Sequence, residues 1–227
     1  DDFWQADAAG LVWLRKAVAN HQVPQLINCV AAYGTGKTSL ARVLAKRFNC
    51  QESSAHPYNP CGRCEGCKNV HPQEGGTFGC EGYLEFDATQ YPPAEIISGI
   101  RSHVMYSRLW NSGTVGVNAP WIVCIDEIAR IRNDLQERLI KMVENTKKAR
   151  FFLCFSDPTT IRDPIKERGV FLPLPLPTIE QATSALIRIA DAEGYVLTDD
   201  VARKIANSVS RIPRKCVRTL QQAALLS

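Results

Sequence analysis

No run of apolar residues in this chain approaches the about 20 needed to carry a helix across a bilayer. That excludes a helical membrane protein and predicts a soluble one with no membrane partner. Internal repeats and low-complexity tracts are also missing, which excludes solenoids, propellers and long biased tails. Charge of one sign is scarce. The chain has 27 Lys and Arg against 23 Asp and Glu, leaving +4, too little to demand a nucleic-acid partner and compatible with one. The given residues contain no secretory signal pattern. What is there is 227 residues, 45% hydrophobic, enough to bury the core of one α/β domain with a smaller companion.

The densest chemistry lies at Gly34-Thr35-Gly36-Lys37-Thr38-Ser39. An apolar run, Leu26-Ile27-Asn28-Cys29-Val30-Ala31-Ala32, precedes it and reads as a buried parallel strand; a helix from Leu40 to Phe48 follows. A strand, a glycine-rich turn and a helix in that order make a phosphate-binding loop. Gly34 and Gly36 would let backbone N–H groups turn toward a β-phosphate, and the helix N-terminus adds partial positive charge. Lys37 would reach the β- and γ-phosphates, and the Thr38 hydroxyl would hold Mg²⁺. The first glycine of the usual spacing is replaced by Ala31, which predicts altered affinity with the site retained. Further along, Trp121-Ile122-Val123-Cys124-Ile125-Asp126-Glu127 is an apolar strand ending in two acids. Alone, the pair also fits a helix N-cap with a first-turn acid. With a P-loop upstream it reads as Walker B, in which Asp126 holds the Mg²⁺ shell and Glu127 orients or deprotonates water.

Cys61, Cys64 and Cys67 are separated by two residues each, and Cys50 precedes them across a polar loop. Four thiolates at such spacing can converge on one tetrahedral Zn²⁺, and four sulfurs leave no open position, so the expected metal is structural. His71 and Cys80 are second-ranked substitute ligands. The odd total of nine cysteines and a nucleotide site suited to a reducing cytosol argue against a disulfide framework. Cys29, Cys124, Cys154 and Cys216 read as small hydrophobes.

The remaining pattern alternates strands and helices. The chain opens at Asp1 without Met, which predicts trimming from a longer parent. A helical pattern at Ala9, Leu11, Leu14 and Val18 comes first. After a loop at Gly75-Gly76 come a strand at Tyr83 to Asp87, a helix after Pro92-Pro93, and a polar loop from Ser112 to Asn118. A helix at Leu135 to Val143 and a strand at Phe151 to Phe155 follow Walker B. Phe171-Leu172-Pro173-Leu174-Pro175-Leu176-Pro177 alternates proline with leucine, which forbids a helix and predicts an extended connector. Beyond it, Thr178 with Gln181 forms a capping box, Thr198-Asp199-Asp200 caps a second helix, and Pro213 suits the first turn of a third. The expected division is an α/β nucleotide-binding domain over 1–172, with a metal insertion at about 50–80, and a helical domain over 173–227. Basic residues crowd two places: Arg211, Arg214, Lys215 and Arg218, and Lys141, Lys147, Lys148 and Arg150.

Together the P-loop, the four-cysteine insertion, Leu84-Glu85-Phe86-Asp87-Ala88, Ile125-Asp126-Glu127-Ile128 and Phe152-Leu153-Cys154-Phe155-Ser156-Asp157-Pro158 resemble the bacterial clamp-loader ATPases, the gamma/tau subunits of DNA polymerase III. The likeness runs from about Leu11 to Leu225. It implies an AAA+ fold with a zinc-knuckle insertion and a helical lid, ATP with Mg²⁺ and Zn²⁺, and a bacterial cytosol, or a phage protein acting there. The implied partners are other clamp-loader subunits in a hetero- or homo-oligomeric ring, a sliding clamp and primer-template DNA, with a collar domain beyond Ser227. By the same resemblance Ser156 takes the sensor 1 position, Arg168 the arginine finger that reaches a neighbour's ATP, and Arg214 sensor 2 on the lid. A serine ending a strand and a solvated helix-end arginine are the plainer readings of Ser156 and Arg168. The chain departs from the family at Ala31, at Glu167 and Gly169 beside Arg168, at Lys215 after Arg214, and at Thr89-Gln90-Tyr91, where the family carries basic residues. The departures predict a divergent member whose DNA contacts use Arg130, Arg132 and Arg138. The alternatives are a non-hydrolysing delta-prime-like subunit and another AAA+ machine of phage, defence or recombination type.

Overall fold

The computed structural model describes residues 4–53, 55, 58–70, 82–105, 120–131 and 133–225. His71, Cys80, Gly75-Gly76, the 112–118 loop and Arg132 lie outside them. Five parallel strands form one sheet in the order β2-β3-β4-β1-β5. They are β1 (Leu26–Val30), β2 (Tyr83–Asp87), β3 (Trp121–Asp126), β4 (Ala149–Phe155) and β5 (Val170–Pro173).

Both faces of the sheet are covered, which is why its strands read as nearly continuous apolar runs. Side chains alternate between the faces. Ile27, Cys29, Ile122, Cys124, Phe152 and Cys154 pack with Leu11, Leu14, Leu40 and Leu44, the apolar stripes of α1 (Ala9–Ala19) and α2 (Lys37–Asn49). Leu26, Leu84, Phe86, Val123, Ile125, Phe151 and Phe155 pack on the other face. That face is covered by α4 (Pro93–Ile100), α5 (Asn133–Asn145) and α6 (Asp163–Arg168). A four-residue helix, α3 (Glu65–Lys68), sits among the cysteines. A third core, built from Ala182, Leu186, Ala202, Ile205, Cys216 and Leu220, belongs to α7 (Ile179–Ala192), α8 (Asp199–Ser208) and α9 (Pro213–Ala224). Trp4, from the other end of the chain, packs against it.

Three local expectations change. The Pro-Leu run is extended, but its start is paired: β5 runs parallel to β1, with Val30 opposite Pro173, and the Leu174 N–H donates to the Val30 carbonyl at 2.9 Å. Proline lacks a donor, so it is tolerated where a strand is bonded on one side, as here at the sheet edge. Helix α2 starts at Lys37, three residues before Leu40, because Gly36 at φ 104° serves as its N-cap. Thr198 stands at the N-cap of α8 but makes no side-chain cap bond, whereas the Thr178–Gln181 box has both of its hydrogen bonds.

Candidate nucleotide-binding site and metal centre

A parallel sheet gathers the residues that follow each strand along its carboxyl edge. The register places Val30 opposite Phe155 and Asp87 opposite Asp126, so the P-loop, Asp126, Glu127 and Ser156 share that edge. Ala31 prolongs the pairing, its N–H donating to the Phe155 carbonyl at 3.2 Å. It is buried and outside the left-handed region of backbone space, which is why a methyl group is accepted where a glycine is usual. The left-handed turn comes at Gly34 and Gly36, at φ 79° and 104°, where a side chain would be strained.

Thr38 and Asp126 meet at this edge. The Thr38 hydroxyl donates to Asp126 Oδ2 at 2.5 Å, so a hydroxyl from α2 and a carboxylate from β3 converge on one point. Two hard oxygen donors in that relation fit Mg²⁺. Lys37 is buried at 6% exposure. Its ammonium donates to the carbonyls of Ala31 at 2.9 Å and Ala32 at 3.4 Å, and the Tyr33 ring covers it at 5.3 Å. Glu127 sits at φ 54°, a left-handed conformation that is uncommon outside glycine and marks strained, functional positions. Tyr33 Oη donates to its Oε2 at 3.1 Å. Ser156 follows β4 directly and is half-buried.

The lid closes over the loop. The Arg214 N–H donates to the Gly34 carbonyl at 3.2 Å, and a Cβ added at Gly34 would stand 3.0 Å from Arg214 Cβ. A cavity of about 730 Å³ lies between the P-loop and α9, lined among others by Trp4, Gln5, Gly36, Ser39, Arg214 and Arg218. That volume suits a nucleotide-sized ligand. Trp4 and Gln5 escaped the sequence reading, which named Arg218 only as part of a basic cluster. Arg218 lies four residues from Arg214, on the same helix face, and that spacing was the available signal. Nothing in the sequence tied the amino-terminal residues Trp4 and Gln5 to this cavity. Arg168 stands elsewhere, at the end of α6, half-exposed and paired with Glu144 at 2.6 Å. Arg130 and Arg138 are exposed. Arg150 is committed to the fold, donating to the carbonyls of Val23, Lys147 and Ala149.

The cysteines behave as one centre. The sulfurs of Cys50, Cys61, Cys64 and Cys67 all lie within 4.8 Å of one another, as the edges of a tetrahedral thiolate site require. Backbone N–H groups of Cys61 and Cys64 donate to the sulfurs of Cys50 and Cys61, both at 3.4 Å, which orients those thiols. Burial pushes the Cys67 thiol up to about 12. Burial pushes Cys64 up as well, but hydrogen bonds from the Gln51 and Cys67 backbone outweigh it and bring that thiol down to about 6. The four residues fit Zn²⁺, and the centre is fastened to α2: a Cβ at Gly66 would fall 1.9 Å from the Asn49 carbonyl.

No protein-family model matches the chain. Over 190 residues, 83% of this chain, it is 26% identical to DNA polymerase III subunit gamma/tau of Mycobacterium tuberculosis, covering 31% of that protein. In sequence, its relatives are gamma/tau subunits. The Haemophilus influenzae tau/gamma subunit is 27% identical over 84% of this chain and 26% of its own length. The Escherichia coli tau subunit is 28% identical over 70% and 23%. The chain thus spans about a quarter to a third of the length of these three relatives. Among solved structures, Thermotoga maritima RuvB, described as a Holliday junction branch migration motor, superposes with a TM-score of 0.61 at 17% identity, over 95% of this chain and 59% of that one. A RuvB mutant gives 0.64 at 16%, over 96% and 61%. The fold is therefore shared with RuvB. Among the described residues no helix is long and apolar enough to cross a membrane.

Proposed function

We propose that the chain is the nucleotide-binding portion of an ATP-driven clamp-loader subunit, which with other subunits opens a sliding clamp and places it on primer-template DNA. The observation that carries the ATPase reading is the meeting of Thr38 and Asp126 at 2.5 Å, beside Lys37 and under a lid bonded to Gly34. The similarity to gamma/tau subunits supports the clamp-loading context.

In this reading the N–H groups of Gly34 to Thr38 and the α2 terminus hold the phosphates, and Lys37 leaves the carbonyls of Ala31 and Ala32 to bind the β- and γ-oxygens. Thr38 and Asp126 would hold magnesium, which would supply positive charge against those oxygens. Glu127 accepts a proton from the attacking water, and Ser156 positions that water or the γ-phosphate. Arg214 brings the lid onto the nucleotide of its own subunit, while Arg168 leaves Glu144 to stabilise charge on a neighbour's. Cys50, Cys61, Cys64 and Cys67 hold a structural zinc. We place the division of the two domains in the connector after β5, close to the expected limit between 1–172 and 173–227.

The test is hydrolysis by the full-length protein assembled with its partner subunits, with and without clamp and primed DNA. Stimulation by both together supports the proposal. Turnover indifferent to a clamp points to a different AAA+ machine, and absence of turnover with tight ATP binding points to a structural subunit.

A further inference from the structure

One side chain touches both halves of this site and has no part in the roles given above. Tyr33 lies between Ala32, whose carbonyl accepts from Lys37 and from the Thr35 hydroxyl, and Gly34, whose carbonyl accepts from the lid. Its ring covers the Lys37 ammonium at 5.3 Å, and its hydroxyl donates to Glu127 Oε2 at 3.1 Å. The same tyrosine therefore bridges the cation that would hold the γ-phosphate and the carboxylate that would activate water. At 59% exposure much of the ring faces solvent.

We infer that Tyr33 is a positioning residue that ties Glu127 down until a triphosphate arrives. The inference rests on the ATPase reading above. A γ-phosphate engaging Lys37 competes with the ring for the ammonium, so in the ATP-bound subunit the ring leaves part of the time, and only then does its hydroxyl release Glu127. A diphosphate ends one phosphate short and makes a weaker claim on that space. Tyr33 would thereby make release of the base depend on the length of the phosphate chain, and would hold down hydrolysis by the isolated subunit. The strained backbone at Glu127, φ 54°, fits a side chain held in one of two arrangements.

The test compares wild type, Tyr33→Phe and Tyr33→Ala in the full-length protein, reading fluorescent ATP and ADP affinities, basal kcat and KM. Phenylalanine keeps the ring and loses only the hydroxyl. It should raise basal kcat about threefold to tenfold with KM for ATP within twofold, as expected for loss of one exposed hydrogen bond to a charged group. Alanine loses the ring as well, and should also tighten ATP several-fold while leaving ADP within twofold. Adding Glu127→Gln should erase the gain in both variants. A Tyr33→Phe protein that binds normally with kcat unchanged or lower overturns the inference and leaves the ATPase reading standing. Failure of the wild type to bind either nucleotide overturns both.

Discussion

Adding one methyl group at Gly169 should unfasten α6, and Arg168 with it, from the sheet. A Cβ there would fall 2.1 Å from Asn28 Nδ2. Asn28 is fully buried in β1, and its amide donates to the Ile165 carbonyl of α6 at 3.0 Å. The amide cannot swing away without leaving its own buried donor unpaired, although the Ile165 carbonyl would keep the Gly169 N–H at 3.1 Å. Overpacking and a lost buried hydrogen bond together put Gly169→Ala at roughly 2–4 kcal/mol of destabilisation. Asn28→Ala should cost only about 1 kcal/mol, because it also removes the Oδ1 atom that has no hydrogen-bond partner. The double variant should resemble Asn28→Ala, since the space left by the amide admits the new methyl, giving a coupling of about 2–4 kcal/mol, the whole cost of Gly169→Ala. Urea unfolding of all four proteins measures this, with the midpoint moving and the slope constant. A Gly169→Ala protein within about 0.5 kcal/mol of wild type, or costs that simply add, would refute the reasoning. In an assembled oligomer the same variant should lower turnover by displacing Arg168, a loss the double variant restores.

Glu127→Gln should retain ATP binding and lower turnover by about 10²–10⁴-fold, as removal of a general base does; single-turnover hydrolysis beside a binding titration checks it. Metal analysis should find one zinc per chain, and Cys61→Ala should abolish it and lower the thermal midpoint; retention of zinc by that variant would point to other ligands. Arg42→Ala removes a bidentate pair to Glu85 at 2.6 and 2.7 Å, a carboxylate that Tyr83 also bonds. The pair is about a quarter to a third exposed, so the loss should be about 1–2 kcal/mol in urea unfolding.

Much of this molecule is readable from residue order because the signals are local. The strand at Tyr83 to Asp87 appears with the bounds its apolar run gives, and the Thr178–Gln181 capping box forms. The four cysteines converge because their spacing leaves the loop few other choices. What escaped depends on distant partners. β5 was obscured because proline reads as a strand breaker until the strand is known to lie at an edge. Trp4 and Gln5 reach the cavity from the far end of the chain, and Gln5 is anchored by a bond to the Pro175 carbonyl at 3.1 Å. The Tyr33–Glu127 contact spans 94 positions and has no sequence signature. Gly169 looked like a departure from a family motif; the structure gives it a physical cause in the Asn28 amide packed against it.

Titration calorimetry with magnesium and ATP on well-folded protein, beside Lys37→Ala, tests the central claim most directly. One site per chain is predicted, with affinity falling at least about 100-fold when the ammonium is removed, as expected for a buried charge that binds phosphate oxygens. Absence of heat in the wild type, or equal affinity in the two proteins, would contradict a triphosphate site at this loop.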